Sequence, residues 1–212
     1  RFIAGENVHK VEANKTYAIM LYYALFQDKI SKTGYESINE ALELIHLPKY
    51  ACFKQEIAEI VSYLLSRLDI KTTPIGAEII PGLELYGCYT REEVFTLVGR
   101  QTAEVKMQGA ASGAFNLPEH NAVLLFVTLN KSEKDFSPST QYNDYLINEN
   151  YFHWQSKNTD SHYNSGGRKY IEQSKTGINI ILFVREEKKD GFGNTSPFHC
   201  FGLVDYVSSH DD

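Results

Sequence analysis

Three stretches with apolar residues at helical spacing in the first 80 residues, followed by short β-branched and aromatic runs, predict an α+β fold. The expected architecture is an N-terminal three-helix bundle over residues 1–80, then a mixed, curved β-sheet or small barrel with short helices over 81–212. A third observation points the same way. Aromatic residues make up 13% of the 212-residue chain, as 14 Tyr, 12 Phe and one Trp. Long helical bundles rarely need so many rings, so strands or a stacking site are expected.

Residues 13–28 (ANKTYAIMLYYALFQD) place Tyr17, Met20, Leu21, Ala24 and Leu25 at i, i+3, i+4 spacing, with Asn14 as a candidate N-cap. Residues 35–46 carry Ile38, Leu42 and Ile45 on one stripe, and Pro48 closes that helix. Residues 52–68 form a third helix, with Phe53, Ile57, Ile60, Val61, Leu64 and Leu68 as its stripe. Short loops between three such helices suit a small bundle. Pro74, Gly76, Pro81 and Gly82 mark 71–82 as a linker. Residues 90–99 (TREEVFTLVG) read as a short helix with a capping box from Thr90 to Glu93 and a stop at Gly99. Strands are expected at 122–129 (AVLLFVTL), 151–156 (YFHWQS), 178–186 (INIILFVRE) and 198–207 (FHCFGLVDYV), with a short helix at 168–174.

The counts exclude several classes. A net charge of −6, from 21 Lys+Arg against 27 Asp+Glu, argues against a protein coated in basic charge. Cys52, Cys88 and Cys200 are an odd, scattered set with no CxxC pair, so a reducing, cytoplasmic setting is expected. No His stands at zinc-ligand spacing with a cysteine. The longest apolar run, near 122–129, is too short to span a bilayer, and neither a signal peptide nor a membrane partner is expected. The chain begins at Arg1 without Met, as a cleaved chain or a fragment of a longer protein would. The average charge hides a local excess: residues 151–189 hold seven basic and four acidic side chains, a local +3.

The densest polar–aromatic region is 136–156 (FSPSTQYNDYLINENYFHWQS), where six rings interleave with hydroxyls, amides and Asp144. In an extended YFHWQS, Tyr151, His153 and Gln155 share one face and Phe152, Trp154 and Ser156 the other. Rings beside amide and carboxylate groups suit a flat base: a ring stacks on it and a Gln or Asp reads its edge. The same pattern also describes a core strand with hydroxyls capping turns. A second candidate is nucleolytic, because Asp144 followed by Gln155-Ser-Lys157 has the spacing of metal-dependent nucleases. Gly166-Gly167-Arg168 is the nearest thing to a phosphate loop; it is also an ordinary turn sequence. There is no GxSxG, no P-loop and no GxGxxG.

Several segments taken together carry a family resemblance: LYYALF at 21–26, LYGCYTREEVFTLVG at 85–99, LLFVTLNKSEKDFSPSTQYNDY at 124–145, YFHWQS at 151–156, GRKYI at 167–171, ILFVREEKK at 181–189 and FGLVDYVSSH at 201–210. The chain resembles the C-terminal domain of unknown function of bacterial superfamily-II helicase proteins that carry a phospholipase-D-type nuclease. Type IV, modification-dependent restriction enzymes belong to that group. The resemblance implies that the motor and nuclease, with their ATP and Mg²⁺, lie upstream, and that this fragment has no catalytic residues or cofactor of its own. Its implied partners are those upstream domains and double-stranded DNA with 5-methylcytosine or 5-hydroxymethylcytosine. Two departures stand out. The family pattern continues HWQS with Gln where Lys157 stands here, and it runs on beyond Asp212.

A C5 methyl leaves the Watson–Crick edge unchanged, so it must be felt by apolar contact in the major groove or in a pocket after base flipping. An SRA/PUA-like barrel with an aromatic pocket would suit. The expected base-contacting residues are Trp154, Tyr142, Tyr145 and Phe152 for stacking, with Asp144 and Gln155 as edge readers. Lys131, Lys157, Arg168, Lys169 and Arg185 are the expected phosphate contacts. A metal-dependent nuclease domain, and an interaction module coupling a helicase motor to its target, are the alternatives.

Overall fold

A computed structural model describes residues 12–67, 73–75, 79–107, 113–131 and 142–210. Leu68, most of 71–78 and the Phe136 to Gln141 part of the ring-rich segment lie outside them. The fold is α+β, as expected. The chain divides into two units, Arg1–Lys71 with Arg91–Gly109, and Thr72–Thr90 with Ala110–Asp212. The boundary expected at 80/81 thus falls inside the second unit, and the short helix near residue 91 goes with the N-terminal helices. Among the described residues no helix is long and apolar enough to cross a membrane.

The first unit contains α1 (Glu12–Phe26), α2 (Ile38–Glu43), α3 (Ala51–Ser66) and α4 (Arg91–Leu97). Its core is built from Ala18, Tyr22 and Tyr23 of α1, Ile30, and Ala41, Leu42 and Ile45. Ser37 caps α2 by accepting the Glu40 amide, and the Glu40 carboxylate reaches back to the Glu36 amide. Asn14 is not a cap, because α1 already begins at Glu12. The Tyr23 hydroxyl donates to the Thr102 carbonyl at 2.8 Å, and burial together with nearby Tyr22, Asp28 and Glu104 pushes its pKa up to about 12.

The third helix forms where its periodicity predicts, but its stripe is not buried. Ile57 touches the core, whereas Phe53, Ile60, Val61 and Leu64 are exposed. Instead α4, with Val94 and Phe95 buried and Val98 buried just after it, packs against α1. Helical period identifies an apolar face; it does not say which neighbour covers it.

The second unit is organised by a five-stranded mixed sheet. Its strands are β3 (Cys88–Tyr89), β4 (Ala114–Leu117), β5 (Ala122–Asn130), β8 (Asn179–Glu187) and β9 (Phe198–Val204), in the order β3-β9-β8-β5-β4. β5 and β8 run parallel from Ala122↔Asn179 to Asn130↔Glu187; the other pairs are antiparallel. The parallel pair is buried on both faces, which is why its sequences read as unbroken apolar runs. One face presents Val123, Leu125, Val127, Ile180, Leu182 and Val184 to Tyr170, Phe152 and Trp154. On the other, Phe126 stacks on Phe183 at 4.9 Å and meets Phe198 edge-on at 5.2 Å. Cys200 is buried on that side, and burial raises its thiol to about 11.

Outside this sheet, β1 (Thr73–Pro74) pairs with β2 (Glu84–Leu85), and β6 (Tyr145–Leu146) with β7 (Phe152–His153). The strand expected over 151–156 is therefore only two residues long. The helix expected at 168–174 is two short helices, α5 (Ser165–Ile171) and α6 (Gln173–Thr176). Buried Gln173 donates to the Val204 carbonyl and accepts the Tyr206 amide, tying α6 to the end of β9.

The β8–β9 ladder slips by one residue between Leu182↔Gly202 and Phe183↔Cys200, leaving Phe201 as a bulge. Gly202 sits at φ 86°, and a Cβ there would stand 2.9 Å from Leu85 Cδ1. Gly202→Ala is expected to cost about 1–3 kcal/mol through that backbone strain. Equilibrium urea denaturation will read the loss as a lowered midpoint.

Candidate nucleic-acid interface

Everything between β5 and β8 in the chain lies on the path of the parallel crossover, and the residues expected to contact a base fall there. The segment begins with an ion pair. Lys131, one residue past β5, has its ammonium 2.7 Å from Asp144 Oδ2, and both side chains are almost completely buried. Lys131 also donates to the Tyr142 carbonyl at 2.5 Å. Asp144 Oδ1 accepts the Gln155 amide at 2.8 Å, and Gln155 Oε1 accepts the Asn143 amide at 3.0 Å. This network joins the end of β5 to both ends of the β6–β7 hairpin.

The hairpin it holds separates the rings into two sets. Phe152 and Trp154 turn toward the sheet core, where Trp154 meets Tyr170 edge-on at 4.9 Å. Tyr145 and His153 occupy the outer face and stack at 4.7 Å with an interplanar angle of 23°. The alternation expected for YFHWQS is observed, and it assigns the rings to different jobs. Trp154 and Phe152 are half-buried packing residues. Tyr145 and Tyr151, 46% and 51% exposed, are open to a flat ligand, and Tyr142 is half-buried.

Beyond the hairpin, the loop into α5 carries the basic side chains. Asn164 caps α5: its Oδ1 accepts the Gly166 and Gly167 amides at 3.0 and 3.1 Å, and the Ser161 amide at 3.2 Å. The loop presses so closely that a Cβ on Gly166 or Gly167 would lie 2.2 Å from Asp160 Oδ1 or the Ser161 carbonyl oxygen. The glycine pair therefore serves close packing, and its amides are already bonded within the chain. Lys157 is exposed and 3.9 Å from the buried Asp160 carboxylate. Arg168 pairs with Glu172 at 2.6 Å on the surface. Lys169 donates to Asn116 Oδ1 at 2.8 Å and lies over the Tyr170 ring. Partial burial holds the Lys169 pKa below its ordinary value, nearby Lys157 lowers it further, and Asp160 opposes both.

Of the five expected phosphate contacts, Lys157, Arg168 and Lys169 thus group around α5. Lys131 and Arg185 are turned inward. Arg185 is buried, donates to Thr128 Oγ1 at 2.9 Å and to the Ser196 carbonyl at 3.1 Å, and stacks its guanidinium on Phe198. An unbroken apolar run in the sequence marks a strand buried on both faces, but it does not say whether an Arg at its end turns inward or outward.

The Asp144, Gln155 and Lys157 set does not converge. Asp144 is occupied by Lys131 and the Gln155 amide, while the Lys157 ammonium lies beside Asp160. Among the described residues no three His, Cys, Asp or Glu side chains group as metal ligands. Sequence reasoning passed over His153 as a stacking partner, and also Tyr163, which is 88% exposed beside the α5 cap. The period-2 pattern around Trp154 carried the signal for His153. Nothing in the pattern singled out Tyr163.

The sequence pattern of a family described as Domain of unknown function (DUF3427) matches residues 83–212. The chain belongs to that family. No curated protein and no solved structure matches it. The match to DUF3427 takes in β3, β9 and the whole crossover, so the ion pair, the ring hairpin and the α5 face are all elements of the DUF3427 region.

Two outcomes follow from this geometry. Asp144→Ala leaves Lys131 buried without its counter-charge and is expected to destabilise the protein by about 3–5 kcal/mol. The paired replacement of Lys131 and Asp144 by Met and Leu should recover part of that loss in thermal unfolding. The Tyr170 hydroxyl is buried with no hydrogen-bond partner, and burial, then Asp160, holds its pKa well above the ordinary phenol value. Tyr170→Phe is expected to be stabilising by about 1 kcal/mol, read from the denaturation midpoint.

Proposed function

We propose that this chain is a non-catalytic DNA-recognition domain that binds duplexes containing 5-methylcytosine or 5-hydroxymethylcytosine. The observation that carries the reading is the Tyr145–His153 stack, exposed on a hairpin fixed by the buried Lys131–Asp144 pair. It stands beside a locally basic stretch of an acidic chain. A preordered ring platform gives a base a face to stack on, worth about 1–3 kcal/mol per base. Lys157, Arg168 and Lys169 supply phosphate attraction with little sequence preference.

The choice of a cytosine modified at C5 comes from the resemblance to modification-dependent restriction enzymes, not from the geometry. In that reading the parent protein supplies ATP-driven motion and cleavage from upstream domains, and this chain supplies the address. The ring hairpin, with Tyr151 and half-buried Tyr142, is then the place where a flipped or groove-exposed base is met. A cytoplasmic role in defence against foreign modified DNA belongs to the same reading.

The test is fluorescence anisotropy on matched duplexes with and without 5-methylcytosine. Tighter binding of the modified duplex is expected, and equal affinity rejects the modification claim. Tyr145→Ala should weaken binding about tenfold with the fold intact by circular dichroism, since one stacking contact is removed. Arg168→Ala should weaken modified and unmodified duplexes alike and reduce the salt dependence by about one ion.

A further inference from the structure

The loop that joins β8 to β9 is itself a hairpin. Lys189 bridges to Thr195, the Ser196 amide donates to the Lys188 carbonyl, and the Asp190 amide donates to the Asn194 carbonyl. Its tip is Gly191-Phe192-Gly193. The Gly193 amide closes the turn onto the Asp190 carbonyl at 3.0 Å, and Gly193 takes the left-handed φ of 86° that a three-residue hairpin loop requires. Asp190 then locks the tip. Its Oδ1 accepts the Phe192 and Asn194 amides at 2.9 and 2.8 Å, and its Oδ2 accepts the Asn194 side-chain amide. Those bonds hold its carboxyl below the usual range. At the base, Arg185 ties the Ser196 carbonyl to the sheet.

On this braced tip stands Phe192, 93% exposed, the most exposed large apolar side chain among the described residues. Its neighbours Gly191 and Gly193 leave the ring unobstructed. Lys189 is exposed three residues before it, and Lys188 lines a cleft with Asn130, Lys131 and Glu187 at the carboxyl ends of the parallel strands. The one carboxylate in the tip, Asp190, stays ionised and is turned onto the loop's own amides, whose N–H dipoles offset part of its charge.

We propose that Phe192 is a wedge that enters a base step of duplex DNA, with Lys189 on the adjoining phosphate. The inference rests on the DNA-binding reading and deepens it, because a wedge that unstacks one step makes a neighbouring cytosine accessible to the ring hairpin. Three properties fit a wedge better than a surface accident. The ring is apolar and bare, its backbone is rigid so little ordering remains to be done on binding, and two lysines, Lys188 and Lys189, precede it in the same loop. A protein pocket or a lipid surface would also take an exposed ring. Duplex DNA is preferred because the lysine pair stands at the wedge's base in the same unit as the basic α5 face.

The experiment uses the full 212-residue chain and a short duplex carrying 5-methylcytosine beside 2-aminopurine. The wild-type chain should bind and raise the 2-aminopurine fluorescence, which reports unstacking. Phe192→Ala, at an exposed position, should keep its circular dichroism spectrum, lose the fluorescence rise and bind about tenfold more weakly. Phe192→Trp should restore both signals. Wild-type binding with affinity and fluorescence unchanged in Phe192→Ala overturns the wedge and leaves the DNA reading standing. Absence of wild-type binding overturns the DNA reading, and the wedge with it. Phe192-dependent binding to vesicles of anionic lipid, without a 2-aminopurine response, overturns the wedge in favour of a membrane contact.

Discussion

Two parallel strands cannot be joined by a tight turn. β5 and β8 form the apolar centre of the second unit, and each is buried on both faces, so the chain between them must leave the sheet, travel and return. The crossover contains the ion pair, the ring hairpin, the Asn164 cap and the α5 lysines. Its own packing rings, Phe152, Trp154 and Tyr170, close one face of the same strands. Core and candidate interface are therefore two sides of a single segment, and its outer side chains inherit their positions from its inner ones.

Charge follows a similar division. The chain is acidic overall, and two of its cations are spent inside. Lys131 anchors the start of the crossover and Arg185 anchors the start of the β8–β9 hairpin. A buried cation is costly unless its donors are satisfied, and both are held by several acceptors. In the second unit, Lys157, Arg168 and Lys169 around α5 and the lysine pair before Asp190 are among the basic residues that remain outward.

Much of the fold could be read from the sequence. The long strands and helices declared themselves through period and composition: β5, β8 and β9 lie within a residue or a few of their expected bounds, as do α1 and α3. Short pairings did not. β1, β2, β3 and β6 are two residues each and carry no periodic signal of their own; the ladder partner makes the strand. The position of α4 was also hidden, because an amphipathic helix declares a face and not a neighbour. At the candidate site the alternation through YFHWQS places Phe152 and Trp154 together, and both pack on the sheet core. The single Trp is half-buried there, since a large ring is as useful to a core as to a ligand. Phe192 was legible only as Gly-Phe-Gly after Lys-Lys-Asp, a pattern whose meaning depends on Asp190 folding back onto its own loop.

The Asn164 cap has a further consequence. One side-chain oxygen takes up three amide protons, those of Ser161, Gly166 and Gly167, so these backbone donors are already used within the chain. An anion beside this turn would lean on side chains, with Lys157, Lys169 and Arg168 the nearby cations. Side chains can be exchanged without moving the backbone, whereas a backbone cradle is fixed by the fold. An affinity built on such side chains would be adjustable one residue at a time, while the sheet beneath stays the same.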